Sequence, residues 1–216
     1  MAKMIPDTPR DFDPKSKEGL MFEELAQLSA EYYVFHSFSI VTASNGIIRE
    51  SETDFVIFHP KKGILCLEAK AGQVDYMDGN WRYGSGVIMK KGGPYSQAES
   101  NKWKFKDYMI ERGMKREFNR CKLLHAVWFP DVPLSKLEGK FLPANADLNI
   151  TLTSDSFGKI EEDIERIFAL KIPARIFISS SSMLSPEYIS RFESSRSWPF
   201  RARYPSNSIS FTGSSS

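Results

Sequence analysis

The chain has 216 residues, of which 41% are hydrophobic and 26% charged, so it is neither a disordered acidic chain, a coiled coil nor a collagen-like chain. This length suits one domain with insertions better than two domains. The net charge is only +2, so an argument for nucleic-acid binding must rest on where the charges lie.

The chain lacks the sequence features of membrane and disulfide-stabilised proteins. No stretch reaches the roughly 18 apolar residues of a membrane span, and the first residues lack the apolar core of a signal peptide. We therefore expect a cytoplasmic protein without a membrane partner. Cys66 and Cys121 are the only cysteines, which gives neither a disulfide framework nor a thiolate metal site.

The chain begins with an arm and a helix. Residues 1–15 hold three prolines among mixed charges and predict an irregular arm. A helix is predicted over about residues 16–31, with Ser16 as the N-cap, because apolar residues then recur at helical spacing: Met21, Leu25 and Leu28.

Two of the next strands form the most informative stretch of the sequence. Residues 32–40 are aromatic and β-branched enough to predict a strand, which a turn at residues 44–46 follows. Residues 53–59 and 64–70 then predict a hairpin that turns at residues 60–63. Both strands of this hairpin are apolar on both faces, so we expect them at the centre of an α/β or α+β sandwich, covered by helices.

The second half of the chain is predicted to alternate short strands and helices. In order, these are antiparallel strands around Trp81 and residues 87–89 with a turn at residues 78–80, a helix of about twenty residues after Pro94, a strand over 123–129, an amphipathic helix around 160–168 and a strand over 176–178. Residues 16–205 thus predict one domain, and the serine-rich residues 206–216 a tail or linker.

Three charged residues interrupt the apolar hairpin. Glu68 and Lys70 are two positions apart on a strand and project from the same face. Asp54 lies near them across the turn, although a four-residue loop would pair it with Ala69 and place it on the other face. An odd-numbered loop or a bulge is therefore needed for the three to converge.

Charges in such an apolar setting cost several kcal/mol unless they are compensated. Mg²⁺ is a suitable compensating ion, because it prefers oxygen ligands and is typically held by one or two carboxylates and a substrate phosphate. Lys70 would then orient or help to deprotonate a water for attack on phosphorus. The alternative is an ordinary pair of Glu68 and Lys70 at a sheet edge, with Asp54 in water.

The series Glu18, Asp54, Glu68-Ala69-Lys70 and Gln97 resembles the PD-(D/E)XK phosphodiesterase arrangement. Over about residues 16–130 the chain also resembles the nuclease-related domain (NERD) family, in the version found ahead of bacterial superfamily-one DNA helicases. The matching segments are Lys17-Glu18 with Phe22 and Leu25, Glu52 to Pro60, Gly63-Ile64-Leu65, Leu67 to Gly72, Trp81, and Pro94 followed by Gln97. Lys17 and Gly19 depart from the family's first-helix motif.

The resemblance implies a restriction-endonuclease-like core, with a central mixed β-sheet flanked by helices. It further implies an Mg²⁺- or Mn²⁺-dependent nuclease that acts on DNA in processing or repair, with a helicase or repair protein as a possible partner. The implied site residues are Asp54, Glu68 and the Ala69 carbonyl as metal ligands, Lys70 as the catalytic cation, Glu18 acting through a metal-bound water, and Gln97 orienting a ligand or water.

A basic segment supplies a candidate nucleic-acid surface. Residues 101–122 hold eight Lys or Arg against three acidic residues, an excess of +5. This segment predicts a strand-binding wall formed by Asn101, Lys102, Lys104, Lys106 and Tyr108, in which aromatic residues stack on bases. The alternative is a solvated helix whose aromatics pack inward. At the level of function, the alternatives are a non-catalytic nucleic-acid-binding or recruitment module and a protein-interaction platform.

Overall fold

The computed structural model describes residues 1–8, 12–13, 15–44 and 47–171. Its strands are β1 (Lys3–Ile5), β2 (Tyr33–Ser44), β3 (Ile47–His59), β4 (Gly63–Ala69), β5 (Val74–Met77), β6 (Asn80–Tyr83), β7 (Leu123–Trp128) and β8 (Thr151–Leu152). Its helices are α1 (Glu18–Ala26), α2 (Pro94–Glu111), α3 (Lys115–Phe118) and α4 (Ile160–Ala169).

A mixed six-stranded sheet forms the centre of the fold, in the order β1-β2-β3-β4-β7-β8. β2, β3 and β4 form an antiparallel meander, whereas β1 with β2, β4 with β7, and β7 with β8 pair in parallel. β5 and β6 form a separate two-stranded sheet. The predicted fold class, a mixed sheet flanked by helices, is confirmed.

The two faces of the sheet carry different helices. On one face, α1 and α4 pack on residues such as Phe55 and Leu67. On the other, α2 and α3 pack on Val56 and Cys66 through Phe105 and other apolar residues. Alternate residues of β3 and β4 therefore point to opposite helix layers, so any even-numbered side chain near Val56 and Cys66 faces α2.

The β3–β4 hairpin turns through an odd-numbered loop. His59 pairs with Gly63, which leaves three residues in the loop, and Gly63 has a φ of 116°. The pairing runs from there to Phe55 opposite Leu67. One further step along the same register brings Asp54 opposite Glu68 and on the same face of the sheet.

The start of the chain differs from the sequence prediction. Residues 1–15 were expected to be an irregular arm, but Lys3–Ile5 forms β1 alongside β2, and Met4 is buried in the core. The first helix begins at Glu18 with Lys17 as its N-cap, at a φ of 56°, instead of Ser16, and it ends at Ala26. Ser16 still contributes, because its hydroxyl oxygen accepts from the Glu18 amide at 3.3 Å.

Further along the chain most predicted elements are present, with small differences. Asp78 and Gly79 form the expected turn, at φ values of 51° and 76°, but the strand expected over 87–89 is reduced to one bridge between Arg82 and Ile88. The turn at Asn45-Gly46, the strand over 176–178 and the tail over 206–216 lie outside the described residues. In the described ranges, no helix has the length and apolar character needed to cross a membrane.

Candidate active site

Asp54, Glu68 and Lys70 come together on the α2 side of the central hairpin. The Ala69 amide donates a hydrogen bond to Asp54 Oδ2 at 2.6 Å, which fixes the aspartate against β4. The Lys70 ammonium forms an ion pair with Glu68 Oε1. The three residues that the sequence singled out therefore occupy one site, and the odd-numbered loop provides the register that this requires.

Asp54 lies at a break in the pairing of β2 with β3. The register runs from Tyr33 opposite Phe58 to His36 opposite Phe55 and resumes at Phe38 opposite Thr53. Ser37, which stands across from Asp54, has a φ of 52° and lies in the left-handed region. Non-glycine residues seldom adopt this conformation, and such local departures are typical of sites where a strand is shaped for function.

Burial dominates the electrostatics of this site. Glu68 is only 1% exposed, and burial raises its pKa even though Lys70 and Asn101 counteract the effect. The pKa of Asp54 is raised to about 8 by burial and by the negative charge of Glu68. Burial alone would lower the pKa of Lys70, but Glu68 and Asp54 raise it overall. The site thus holds two carboxylates against one ammonium in a poorly solvated setting.

The helix α2 contributes a side chain that anchors Glu68. Asn101 is 3% exposed, and its Nδ2 donates to Glu68 Oε2 at 3.0 Å and to the Glu52 carbonyl at 2.9 Å. Gln97 lies one turn earlier on the same helix and is half-buried. The sequence placed both residues on one face of this helix, but it assigned Asn101 to nucleic-acid binding, and only the structure shows that it holds the carboxylate.

Glu18 approaches from the other side of the sheet. It is the first residue of α1, and its Oε2 lies 3.5 Å from His36 Nε2 on β2. Burial and Glu68 are the main causes of the raised pKa of Asp54, and the negative charge of Glu18 adds a smaller contribution. His36 itself is buried and packs edge-on against Phe12 and Phe22. Sequence reasoning missed this histidine as the partner of Glu18.

A second link ties the start of α1 to the end of β4. Asp131 Oδ2 accepts from the Gly72 amide at 2.7 Å, and its other oxygen pairs with the Lys17 ammonium. Although burial opposes it, the pKa of Asp131 is lowered by these hydrogen bonds and by the charge of Lys17. Asp131 therefore holds both Lys17, the N-cap residue of α1, and the loop that follows Lys70.

The predicted nucleic-acid wall divides between buried and exposed residues. Asn101 and Lys102 are only 3% and 8% exposed, so they do not lie on the solvent-exposed side of α2. Lys104 is exposed and Lys106 partly so, whereas Tyr108 packs on Phe38 at 5.9 Å between ring centroids. Among the neighbouring aromatics, Phe105 is buried, while Trp103 is 42% exposed. Because α2 packs on the sheet, only its exposed side could contact a nucleic acid, and that side includes Lys104 and Trp103.

The oxygen atoms of this site suit a hard divalent cation. Asp54, Glu68 and the Ala69 carbonyl offer oxygen donors only, and because burial raises the pKa of both carboxyls, a bound cation would stabilise their charged forms. The described residues contain no group of three or more His, Cys, Asp or Glu side chains arranged to hold a metal. Two carboxylates are nevertheless typical of Mg²⁺ sites, where waters and substrate phosphates supply the other ligands.

Comparisons of the chain with models of protein families, with curated proteins and with solved structures find no match. The functional argument therefore rests on the geometry and chemistry of the site.

Proposed function

We propose that the protein is an Mg²⁺- or Mn²⁺-dependent phosphodiesterase that cleaves DNA, built on a restriction-endonuclease-like core. The observation that carries this proposal is the convergence of Asp54, Glu68 and Lys70 on one face of a hairpin, directly beside the apolar paired segments 55–58 and 64–67. Such a set is costly in a structural role, because two buried carboxylates repel each other and lower stability. It is well suited to a cation and a phosphate.

In this proposal, Asp54, Glu68 and the Ala69 carbonyl hold the metal ion. When bound, the ion would polarise the scissile phosphate and lower the pKa of a water molecule, which are the usual contributions of metal ions to phosphoryl chemistry. The hydrogen bond from the Ala69 amide fixes one oxygen of Asp54, and Asn101 fixes one oxygen of Glu68. Both carboxylates are therefore oriented before a ligand arrives, which limits the reorganisation that binding requires.

Lys70 has two uses in this arrangement. Its ammonium neutralises part of the charge of Glu68 in the resting site. In this proposal it would also hydrogen-bond to an attacking water or to a phosphate oxygen, and so position the nucleophile and stabilise the negative charge of the transition state. Gln97 would orient a ligand or water from α2, and Glu18 would act on the site from the α1 side.

DNA as the substrate, a role in processing or repair, a cytoplasmic location and cooperation with a helicase belong to the same proposal. They are supported by the family resemblance and by the exposed cations of α2, such as Lys104. The non-catalytic alternative keeps the DNA-binding surface but does not hydrolyse DNA. The two therefore differ in whether the protein cleaves DNA when a divalent ion is added.

The test is a cleavage assay on circular and linear DNA with Mg²⁺, with Mn²⁺ and with EDTA. We expect metal-dependent cleavage by the wild type and a loss of at least about 100-fold in Lys70→Ala, because general acid–base contributions are typically of this size. Lys61→Ala is the matched control, since Lys61 lies in the loop of the same hairpin and its side chain is 80% exposed. Cleavage retained by Lys70→Ala would overturn the mechanism. Salt-sensitive binding without cleavage in any metal would support the non-catalytic module instead.

A further inference from the structure

A half-open cavity of about 210 Å³ lies between α2, α3 and the first half of β7. Its inner wall is apolar and includes Phe118, Leu124 and Ile150. Trp103, Lys106 and Arg120 also line it, and these three side chains are exposed or half-exposed. The cavity thus combines an apolar interior with an aromatic and cationic opening.

The cavity lies beside the first half of β7, which β8 does not reach. β8 pairs with β7 at Val127 and Trp128, whereas the cavity is lined by residues 122–125 at the start of β7. In the part of the chain that the structure describes, no further strand covers this section of β7. The side chains of α2 and α3 therefore frame a real opening in the fold.

The charges around the cavity are of one sign. None of its described lining residues carries a carboxylate. Four cationic side chains line it: Lys102, Lys106, Arg120 and Lys122. Lys122 is already used, since its ammonium donates to the carbonyls of Phe168 and Leu170. The nearest acid to Lys102 Nζ is the half-exposed Glu99 at 3.9 Å. The cavity consequently attracts an anion.

Lys102 makes this excess of positive charge unusual. It is 8% exposed, and its Nζ lies 3.0 Å from Nδ1 of His125 on the cavity wall. Burial lowers the pKa of Lys102, and burial together with the Lys102 charge lowers the pKa of His125 to about 4. The buried ammonium of Lys102 therefore contacts an imidazole directly and the carboxylate of Glu99 only at 3.9 Å, so its positive charge is only partly balanced at the cavity wall.

Trp103 provides a surface for a planar ring. It is 42% exposed, and the ammoniums of Lys102 and Lys106 lie 4.6 and 5.3 Å from its ring centroid. Indole rings flanked by cations are a common feature of surfaces that bind single-stranded nucleic acid, where the ring stacks on a base and the cations contact phosphate.

We infer that this cavity is a subsite for one unpaired base of a DNA strand, with its phosphate held by Lys106 and Arg120. Its volume is below the ~300–1,000 Å³ of pockets that enclose drug-sized ligands, so it suits one base with the sugar and phosphate outside. The choice of a nucleotide over other aromatic phosphates rests on the proposed function.

The position of the cavity relative to the candidate active site agrees with this assignment. His125 pairs with Cys66, which is two residues before Glu68 on β4. Two residues of strand correspond to about 7 Å along β4, so this position is close to Glu68. Asn101, which holds Glu68, and Lys102, which lines the cavity, are consecutive on α2. A strand that enters the active site would pass this cavity within a few nucleotides.

The test compares two single strands of equal length, one of deoxythymidine and one with abasic positions, bound to the full chain in EDTA. We expect the wild type to bind the base-containing strand roughly tenfold more tightly, as base–aromatic stacking predicts. Trp103→Ala should remove most of this preference without weakening binding to the abasic strand. Lys104→Ala is the control on the same helix, and it should weaken both strands equally.

Several outcomes would overturn the inference. These are equal affinity of the wild type for both strands, an unchanged preference in Trp103→Ala, and an equal loss for both strands in that variant. If Trp103→Ala is unstable, Trp103→Leu keeps an apolar side chain but removes the planar ring, and it should likewise lose the preference. Because binding is measured in EDTA, the test is separate from the cleavage assay: a preference for bases in the wild type that is lost in Trp103→Ala supports the subsite even if the protein cleaves no DNA with any metal.

Discussion

Asn101 on α2 donates a hydrogen bond of 3.0 Å to Glu68 on β4, and the two side chains are only 3% and 1% exposed. The same amide nitrogen donates to the Glu52 carbonyl on β3 at 2.9 Å. One side chain therefore connects the helix to both strands of the hairpin that carries the candidate site. The orientation of Glu68 depends on this connection as well as on Lys70.

Asn101→Ala should lower the free energy of unfolding by roughly 1–3 kcal/mol, because it leaves a buried carboxylate oxygen without a partner. Urea denaturation measures this change. Ser100→Ala is the control, since Ser100 is exposed on the next position of the same helix, and its effect should stay within about 0.5 kcal/mol. Equal stability of the two variants would show that the Asn101 hydrogen bond contributes nothing.

Asp54→Asn should have opposite effects with and without metal. In EDTA it should melt at or above the wild-type temperature, because the raised pKa of Asp54 shows that burial and Glu68 disfavour its charge. With Mn²⁺ at tenfold its dissociation constant, the wild type should gain about 1.4 kcal/mol, or roughly 3–6 °C, and the variant should not.

Thermal denaturation with and without Mn²⁺ checks this reversal of order. Asp107→Asn serves as the control, because Asp107 is an exposed carboxylate on α2, outside the site. It should leave the metal-induced rise intact. A rise of equal size in Asp54→Asn would exclude Asp54 as a metal ligand.

The sequence predicted the composition of the site better than its geometry. The two-residue period of a strand placed Glu68 and Lys70 on one face, and the structure agrees. The register of Asp54 could not be predicted, because it depends on whether the loop holds three or four residues. Gly63, which ends the loop, has a φ of 116° and lies close to the backbone of Lys122, a residue far away in sequence that the local pattern does not reveal.

Two other features were hidden from sequence reasoning for different reasons. β1 has three residues and one buried side chain, too few to show a period, and it forms because β2 offers it a parallel partner. Asn101 was correctly placed on the same face as Gln97. A helical period alone, however, does not distinguish a polar residue that faces solvent from one that faces a buried carboxylate.

Gly63→Ala should be strongly destabilising, by about 3 kcal/mol or more, and should disturb the register of the hairpin. An added Cβ at this position would overlap the Lys122 carbonyl oxygen, and the φ of 116° is unfavourable for alanine. Gly79→Ala is the matched control, because Gly79 is also a turn glycine at a positive φ, of 76°, but has nothing within 4 Å of an added Cβ.

The difference between these two glycine variants reports the close contact with Lys122 together with the less favourable φ of Gly63. Denaturation of both proteins measures it, and Gly79→Ala should lose only about 1 kcal/mol. If Gly63→Ala were no worse than Gly79→Ala, the approach of Lys122 to the hairpin loop would not constrain the register.

His125 should make stability depend on pH between about 6.5 and 4. Burial and the adjacent Lys102 charge lower its pKa from 6.5 to about 4 in the folded protein, whereas Glu99 acts weakly in the opposite direction. Over this range the unfolded chain binds a proton that the folded chain does not. The free energy of unfolding therefore falls as the pH falls, by about 2 kcal/mol once solvent screening in a half-open cavity is allowed for.

Urea denaturation of the wild type and of His125→Asn at pH 7 and pH 4.5 measures this contribution, because asparagine does not titrate. The wild type should lose more stability between the two pH values than the variant does. Lys102→Met tests the cause, since removal of the neighbouring ammonium should raise the pKa of His125 and reduce the loss. An imidazole that titrates near 6.5 by NMR, with equal pH dependence in all three proteins, would mean that Lys102 and His125 are not in contact. The positive character of the cavity would then arise from its outer cations alone.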